Sequence, residues 1–374
     1  MKLLIFSFLC LLLVIFPKEL PQQLYYHDEK IITLPFKQTS FDFTIELYES
    51  KKNKTKYFTP DMTANITYYN FLSENDPQTI KTGQMNHSNK LYNFSLQKEN
   101  CLFTNTLRYS LMYYNTTPEL HRSNILCFAP TAVERGFIFP LMLFDQDLIR
   151  YPTFMFHYLQ EEDWNIYIGG TPQKIEGKYP YRQNCISRNN TWNCKLDSVI
   201  LKGKEYINTR PIAFLSNTRG ISAPNDFLSF AGELILQDYK KDWMCYYLDR
   251  TYSYMECQCE VLKTFPTFYF NFDGNVLEVQ GRDLFRKSNS MCRVILYPNN
   301  YNRWEFDISI FKHHPVEFRY LDNSVSFYSD SPFPSKEDLL RNTFLIKIIM
   351  IVVSIFNCIM IFILLFINIT IKKQ

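Results

Sequence analysis

The sequence predicts a mostly-β ectodomain carried on one C-terminal transmembrane helix. Three features point there. Apolar residues alternate with period two through much of the chain, helical patterns are scarce, and one twenty-residue stretch near the end carries no charge.

The ends fix the topology. Lys2 precedes an apolar run from Leu3 to Phe16, which reads as a signal peptide over residues 1–20. Ile348 to Ile367 is interrupted only by Ser354 and Asn357, and at ~1.5 Å per residue it matches a ~30 Å hydrocarbon core. We therefore expect a polar, proline-bearing stalk over 331–344, a span over 345–368 and a cytosolic tail over 369–374 with Lys372 and Lys373. A lipid-anchor signal could use Ser329, Asp330 and Ser331. Such tails end apolar, however, and this one ends Lys-Lys-Gln. The expected location is a secretory-pathway or cell-surface membrane, single-pass type I, with the lipid bilayer as one partner.

Composition agrees with that compartment. Cys10 and Cys358 fall in the signal and the span, leaving Cys101, Cys127, Cys185, Cys194, Cys245, Cys257, Cys259 and Cys292 in the ectodomain. An even count in an oxidising compartment reads as disulfides, with pairing left open. Asn53, Asn65, Asn86, Asn93, Asn115 and Asn189 each begin a glycosylation triplet. A formal net charge of +3 over 374 residues gives no reason to expect a nucleic-acid partner. No phosphate loop, G-x-S-x-G, H-E-x-x-H or C-x-x-C occurs, and His313-His314 reads as two surface or strand residues. No metal and no cofactor is expected.

Along the ectodomain, Phe41 to Leu47 alternates as a half-buried strand does. Thr267 to Val279 reads as a hairpin turning at Asp273-Gly274. Asn65–Asn70, Asn165–Ile168, Asp197–Leu201 and Ser324–Tyr328 are further short strands. Phe144–Gln160 and Asn225–Asp238 alone look helical.

Several segments, in order, carry a resemblance. Phe154-Met-Phe-His-Tyr-Leu159 is followed by Tyr167-Ile-Gly-Gly170. Trp192 precedes Leu196–Leu201 and Gly203. Ala213 to Pro224 reads A-F-L-S-N-T-R-G-I-S-A-P, and Cys259 and Cys292 flank the hairpin. Trp304 to Tyr328 closes the series with Phe318, Asp322-Asn323 and Phe327. This order and spacing resembles the second half of a pepsin-like aspartic protease. The first half is similar more loosely. Asp61-Met62-Thr63-Ala64 stands where the family has its first Asp-Thr-Gly-Ser, Arg135 to Ile138 resembles its "DGILG" element, and Tyr113 or Tyr114 stands for the flap tyrosine. The resemblance implies a bilobal acid-protease fold, an N-terminal lobe over 21–150, a C-terminal lobe over 151–330, a Cys259–Cys292 disulfide and a peptide-binding cleft between the lobes.

The departures bear on chemistry. The family's two aspartates share one proton, one acting as base on water and the other as acid toward the substrate carbonyl. Asp61 is the candidate first aspartate, whereas the second position holds Ser216, or Asn217 in another register. Neither can share a proton with Asp61. Loop glycines are replaced by Thr63 and Thr218, and the glycines of the two hydrophobic-hydrophobic-Gly elements by Phe139 and Asp307. A glycan on Asn65 would sit at the cleft. The expected function is an inactive, membrane-anchored homologue that binds a peptide or protein in the cleft. The alternatives are an active membrane-bound aspartic endopeptidase that recruits another acid such as Asp226, and a structural surface or granule glycoprotein.

Overall fold

The computed structural model describes residues 31–38, 43–49, 54–63, 87–95, 106–112, 124–131, 138–145, 147–160, 163–175, 177–188, 190–208, 210–216, 220–239, 245–247, 255–288, 291–299 and 303–371. The expected signal peptide, Cys101, Asn53, Asn65, Asn86, Asn115, Asn189, Tyr113, Tyr114, Asn217, Thr218 and Arg219 lie outside them. Asn93 lies in the His87–Ser95 strand.

A sixteen-stranded sheet runs through the described residues ahead of the last helix. Its middle is antiparallel: Tyr179–Arg188, Ser324–Ser329, Val316–Arg319, Thr153–Gln160, Asp163–Ile168 and Ile32–Gln38 lie side by side. Each flank then carries a parallel pair. On one side Lys54–Asp61 runs beside Asn124–Cys127; on the other Pro211–Leu215 runs beside Trp304–Asp307. A two-fold resemblance within the sheet thus brings two similar strand ends into play.

Aromatic side chains fill the core. Trp192 and Trp304 are fully buried, and Phe154 stacks on Phe318 at 4.8 Å between ring centres. Both indoles keep their N–H satisfied, Trp192 on the Phe128 carbonyl at 3.1 Å and Trp304 on Asn208 Oδ1 at 3.0 Å. The Trp192 bond ties residues 64 apart in sequence.

The hairpin forms as expected, Phe268–Phe272 pairing with Asn275–Val279. Asp273 and Gly274 both take positive φ, 48° and 82°, as a tight two-residue turn requires. The Asn225–Tyr239 helix also forms. The helix expected over Phe144–Gln160 does not. A short helix spans Phe139–Asp145 instead, and Thr153–Gln160 is a central strand whose first four residues are all buried. A strand covered on both faces loses its alternation, so the pattern cannot announce it.

Disulfides join Cys185–Cys194, Cys245–Cys257 and Cys259–Cys292, the last being the pair that the resemblance implied. Cys127 is a buried thiol. The polar stretch taken for a stalk is also different. Lys336–Ile371 is one 36-residue helix, so helix begins well inside 331–344. Ser335 caps it: its hydroxyl accepts from Asp338 N at 3.0 Å and meets Asp338 Oδ2 at 2.7 Å.

Candidate functional site

The site begins with two strand ends. Asp61 closes its strand opposite Cys127, and Phe128 N donates to the Asp61 carbonyl at 2.8 Å. Leu215 closes the corresponding strand opposite Asp307. The two parallel pairs therefore make Leu215 the counterpart of Asp61, and Ser216 the counterpart of Met62. Ser216 is one place too late to occupy the second catalytic position, which was expected to hold it or Asn217. The ungapped count back from Pro224 along the family's A-I-V-D-S-G-T-S-L-I-S-A-P segment carries the same assignment and was available in the sequence.

Ser216 has a different task. Its hydroxyl accepts from Met62 N at 3.1 Å and donates to the Pro60 carbonyl at 2.8 Å, both in buried surroundings. One side chain thereby links two loops more than 150 residues apart. Leu215 is 5% exposed, and its isobutyl group neither takes up nor releases a proton.

Asp61 is half-buried. Its Oδ1 accepts from Thr63 N and from Thr63 Oγ1, each at 2.7 Å. An Asx-type turn of this kind stabilises the loop with a threonine at the third position. The carboxylate thus braces its own loop. Beside it, burial pushes the Cys127 thiol up to about 12, and the Asp61 charge adds to that rise. Cys127 is a protonated, inert thiol at neutral pH.

The neighbouring strands correct another expectation. Ile125-Leu126-Cys127 pairs with the Asp61 strand as Glu305-Phe306-Asp307 pairs with the Leu215 strand. Cys127, not Phe139, therefore matches Asp307; Phe139 opens the short helix. Asp307 is 1% exposed, and its Oδ1 accepts from Ser309 N at 2.8 Å, capping the turn at Ile308–Ile310.

Asp226 does not supply a spare acid. It sits in the first turn of Asn225–Tyr239, where Arg210 Nη1 lies 2.8 Å from Oδ1 and Tyr206 donates to Oδ2 at 2.6 Å. Partial burial opposes ionisation, but the Arg210 and Tyr206 hydrogen bonds win and hold the carboxyl below its ordinary value. A group held ionised by an arginine is a poor proton donor. His313 Nε2 lies 3.0 Å from Asp283 Oδ2, while His314 is buried between the carbonyls of Tyr328 and Glu278 rather than at a surface.

A family model for the eukaryotic aspartyl protease matches residues 125–328, more than half of the 374-residue chain. The chain belongs to this family. The match starts at Ile125, in the strand beside Asp61, and ends at Tyr328 in the Ser324–Ser329 strand. Among solved structures, basic 7S globulin from soybean aligns with a TM-score of 0.63 over 81% of this chain and 95% of its own, at 9% identity. That likeness shows the pepsin-like fold. No curated protein matches the chain by sequence.

Proposed function

We propose that this member of the aspartyl protease family is a non-catalytic binding module, anchored in a secretory-pathway or cell-surface membrane by the Lys336–Ile371 helix. One observation carries the reading: the counterpart of Asp61 is Leu215. The family's chemistry needs two carboxyls that share a proton, so that one activates water while the other protonates the substrate carbonyl. A leucine at the second place removes the acid, and the space for its proton is filled with hydrocarbon. Asp61 is left as a single carboxylate already bonded to Thr63. Asp226, the other acid considered, is engaged by Arg210 and Tyr206.

The membrane part rests on the helix. It is long and apolar enough to cross a bilayer, and none of its apolar window is buried against the protein. Phe344, Ile351 and Phe356 expose 65%, 59% and 62% of their surface, which water would penalise and lipid would not. Three disulfides fit an oxidising lumen. The ligand class follows from the family's architecture: an extended peptide or protein segment held along the interlobe cleft by strand-type hydrogen bonds.

The test is an acid-pH digest of a peptide library by the purified ectodomain. We expect no cleavage, no effect of a statine-type inhibitor, and the same null result with Asp61→Ala. Cleavage that the inhibitor blocks and Asp61→Ala abolishes would overturn the reading. Affinity capture of peptides from the same library, competed by an extended uncleavable peptide, then separates a binder from a structural coat.

A further inference from the structure

We infer that the C-terminal lobe rests on the lipid headgroups in one fixed orientation, with Ile207 and the Asp273-Gly274 turn at the lipid-facing end. This rests on the membrane reading above and adds to it a surface, a partner and a geometry.

The segment before the helix is docked on the lobe. Val276 N donates to the Pro334 carbonyl at 3.0 Å, and Lys336 N donates to the Gly274 carbonyl at 2.9 Å. Ser335 forms a bridge with Asn275, and Lys336 Nζ lies 2.6 Å from Glu205 Oε1. Phe333 packs its ring near Tyr181 at 5.9 Å and His314 at 5.7 Å. Two main-chain bonds, an ion pair and a half-buried aromatic ring leave no slack between lobe and helix. A free linker of the length expected over 331–344 would instead have a reach of roughly 20 Å in every direction.

Helix geometry then sets the height. Exposed apolar side chains begin at Phe344, and the uncharged run begins at Ile348. At ~1.5 Å per residue, either start puts Lys336 about 12–18 Å above the hydrocarbon edge. The headgroup layer takes about 5–8 Å of that. The remaining gap is on the order of one long side chain.

The end of the lobe at this height is identifiable. Ile207 pairs with Ser198, Ser198 with Asn271, and Asn271 with Val276, the residue bonded to Pro334. Ile207 thus ends the sheet row to which the helix entry is tied. It is 76% exposed on the edge strand Lys204–Ile207; Ile186 and Leu321 are exposed to 73% and 70% elsewhere, and what sets Ile207 apart is its place in the row tied to the helix entry.

The experiment uses the full chain in phosphatidylcholine vesicles that contain headgroup-nitroxide lipid. A coumarin-bearing residue replaces Ile207 or, in a second variant, Lys195, whose side chain is 77% exposed and ion-paired to Asp197 beside the same turn. We expect at least twofold quenching at both positions. A thirty-residue Gly/Ser spacer after Leu340, with a reach of about 30 Å, should return the signal to within one-tenth of its nitroxide-free value. Alkaline extraction checks insertion separately. A chain that resists extraction yet shows no quenching overturns the fixed orientation and leaves the membrane reading standing. Quenching that survives the spacer also overturns it, because contact would then not depend on the docked helix. A chain that alkali extracts overturns the membrane reading, and this proposal with it.

Discussion

On one flank of the sheet, the Lys54–Asp61 strand ends in a carboxylate beside a thiol. On the other, the Pro211–Leu215 strand ends in an isobutyl group beside a carboxylate, that of Asp307. The backbones correspond, pair for pair, while the side chains differ at every place that matters for chemistry. The frame is kept by contacts that ignore those identities: parallel main-chain pairing, the Ser216 hydroxyl bridging Met62 and Pro60, and an aromatic core behind both strands. The strand frame and the second carboxyl are therefore separable here. A carboxyl can be lost from a strand end without disturbing the ladder that holds it.

The sharpest way to break the comparison is to put the missing acid back. Leu215→Asp buries a carboxyl where exposure is 5%, and desolvation should raise its pKa by several units. The folded state then disfavours the ionised form, so the penalty grows as pH rises above about 4 and should reach about 3–5 kcal/mol near pH 7. Thermal melting at pH 4 and pH 7 checks it. Equal melting losses at the two pH values, or none, would mean that Leu215 is not at a buried strand end.

Next in size is the bridge. Ser216→Ala leaves the Met62 N–H and the Pro60 carbonyl without the hydroxyl that serves both, at a cost of about 1–3 kcal/mol. Ser216→Thr keeps the hydroxyl and should recover most of it. Denaturant midpoints of the three proteins decide whether the two loops are coupled through this oxygen. A Ser216→Ala midpoint equal to that of the parent would show that they are not.

What the sequence let one read follows the same division. The hairpin announced itself through Asp273-Gly274 between alternating runs, because turn chemistry is local. The Cys259–Cys292 bond was implied by the family resemblance alone, since eight cysteines leave their pairing open. The strand Thr153–Gln160 was hidden, since its first four residues are buried on both faces and leave no alternation to read. Leu215 was passed over because counting forward from Ala213 lands on Ser216; counting back from Pro224, and the pairing with Asp307, both fix the register at Leu215. The docked helix entry had a visible signal, the Ser335-x-x-Asp338 cap ahead of an apolar run, masked by two prolines just upstream.

The comparison also predicts where pH acts. Where two acids share a proton, that pair would dominate. Here the group with a resolved burial-driven shift and two strand carbonyls at its nitrogens is His314. Burial lowers its pKa despite the pull of the Tyr328 and Glu278 carbonyls, and the nearby His313 and Lys178 charges push the same way. A base whose folded pKa lies below its unfolded value of about 6.5 binds fewer protons when folded. Its stabilisation is fully present above pH 6.5 and is lost as pH falls through the folded pKa. Melting temperature should therefore drop between pH 7.5 and pH 5, and His314→Gln should flatten that drop. An identical slope in the variant would assign it elsewhere.

The smallest effect should come from the residue that the family would rank first. Asp61→Asn retains an oxygen for Thr63 N and Thr63 Oγ1, so the loop keeps both bonds and loses only their charge assistance. The stability change should not exceed about 1 kcal/mol. In an enzyme with a shared proton the same exchange would remove the base and end turnover. Here a single carboxylate beside a protonated thiol has no partner acid at Leu215 to lose. If peptide affinity and melting temperature both stay near parent values in Asp61→Asn, the carboxylate serves the loop alone. If affinity falls at least tenfold while melting holds, Asp61 touches the bound peptide, and the surviving half of the site still recognises what the family once cut.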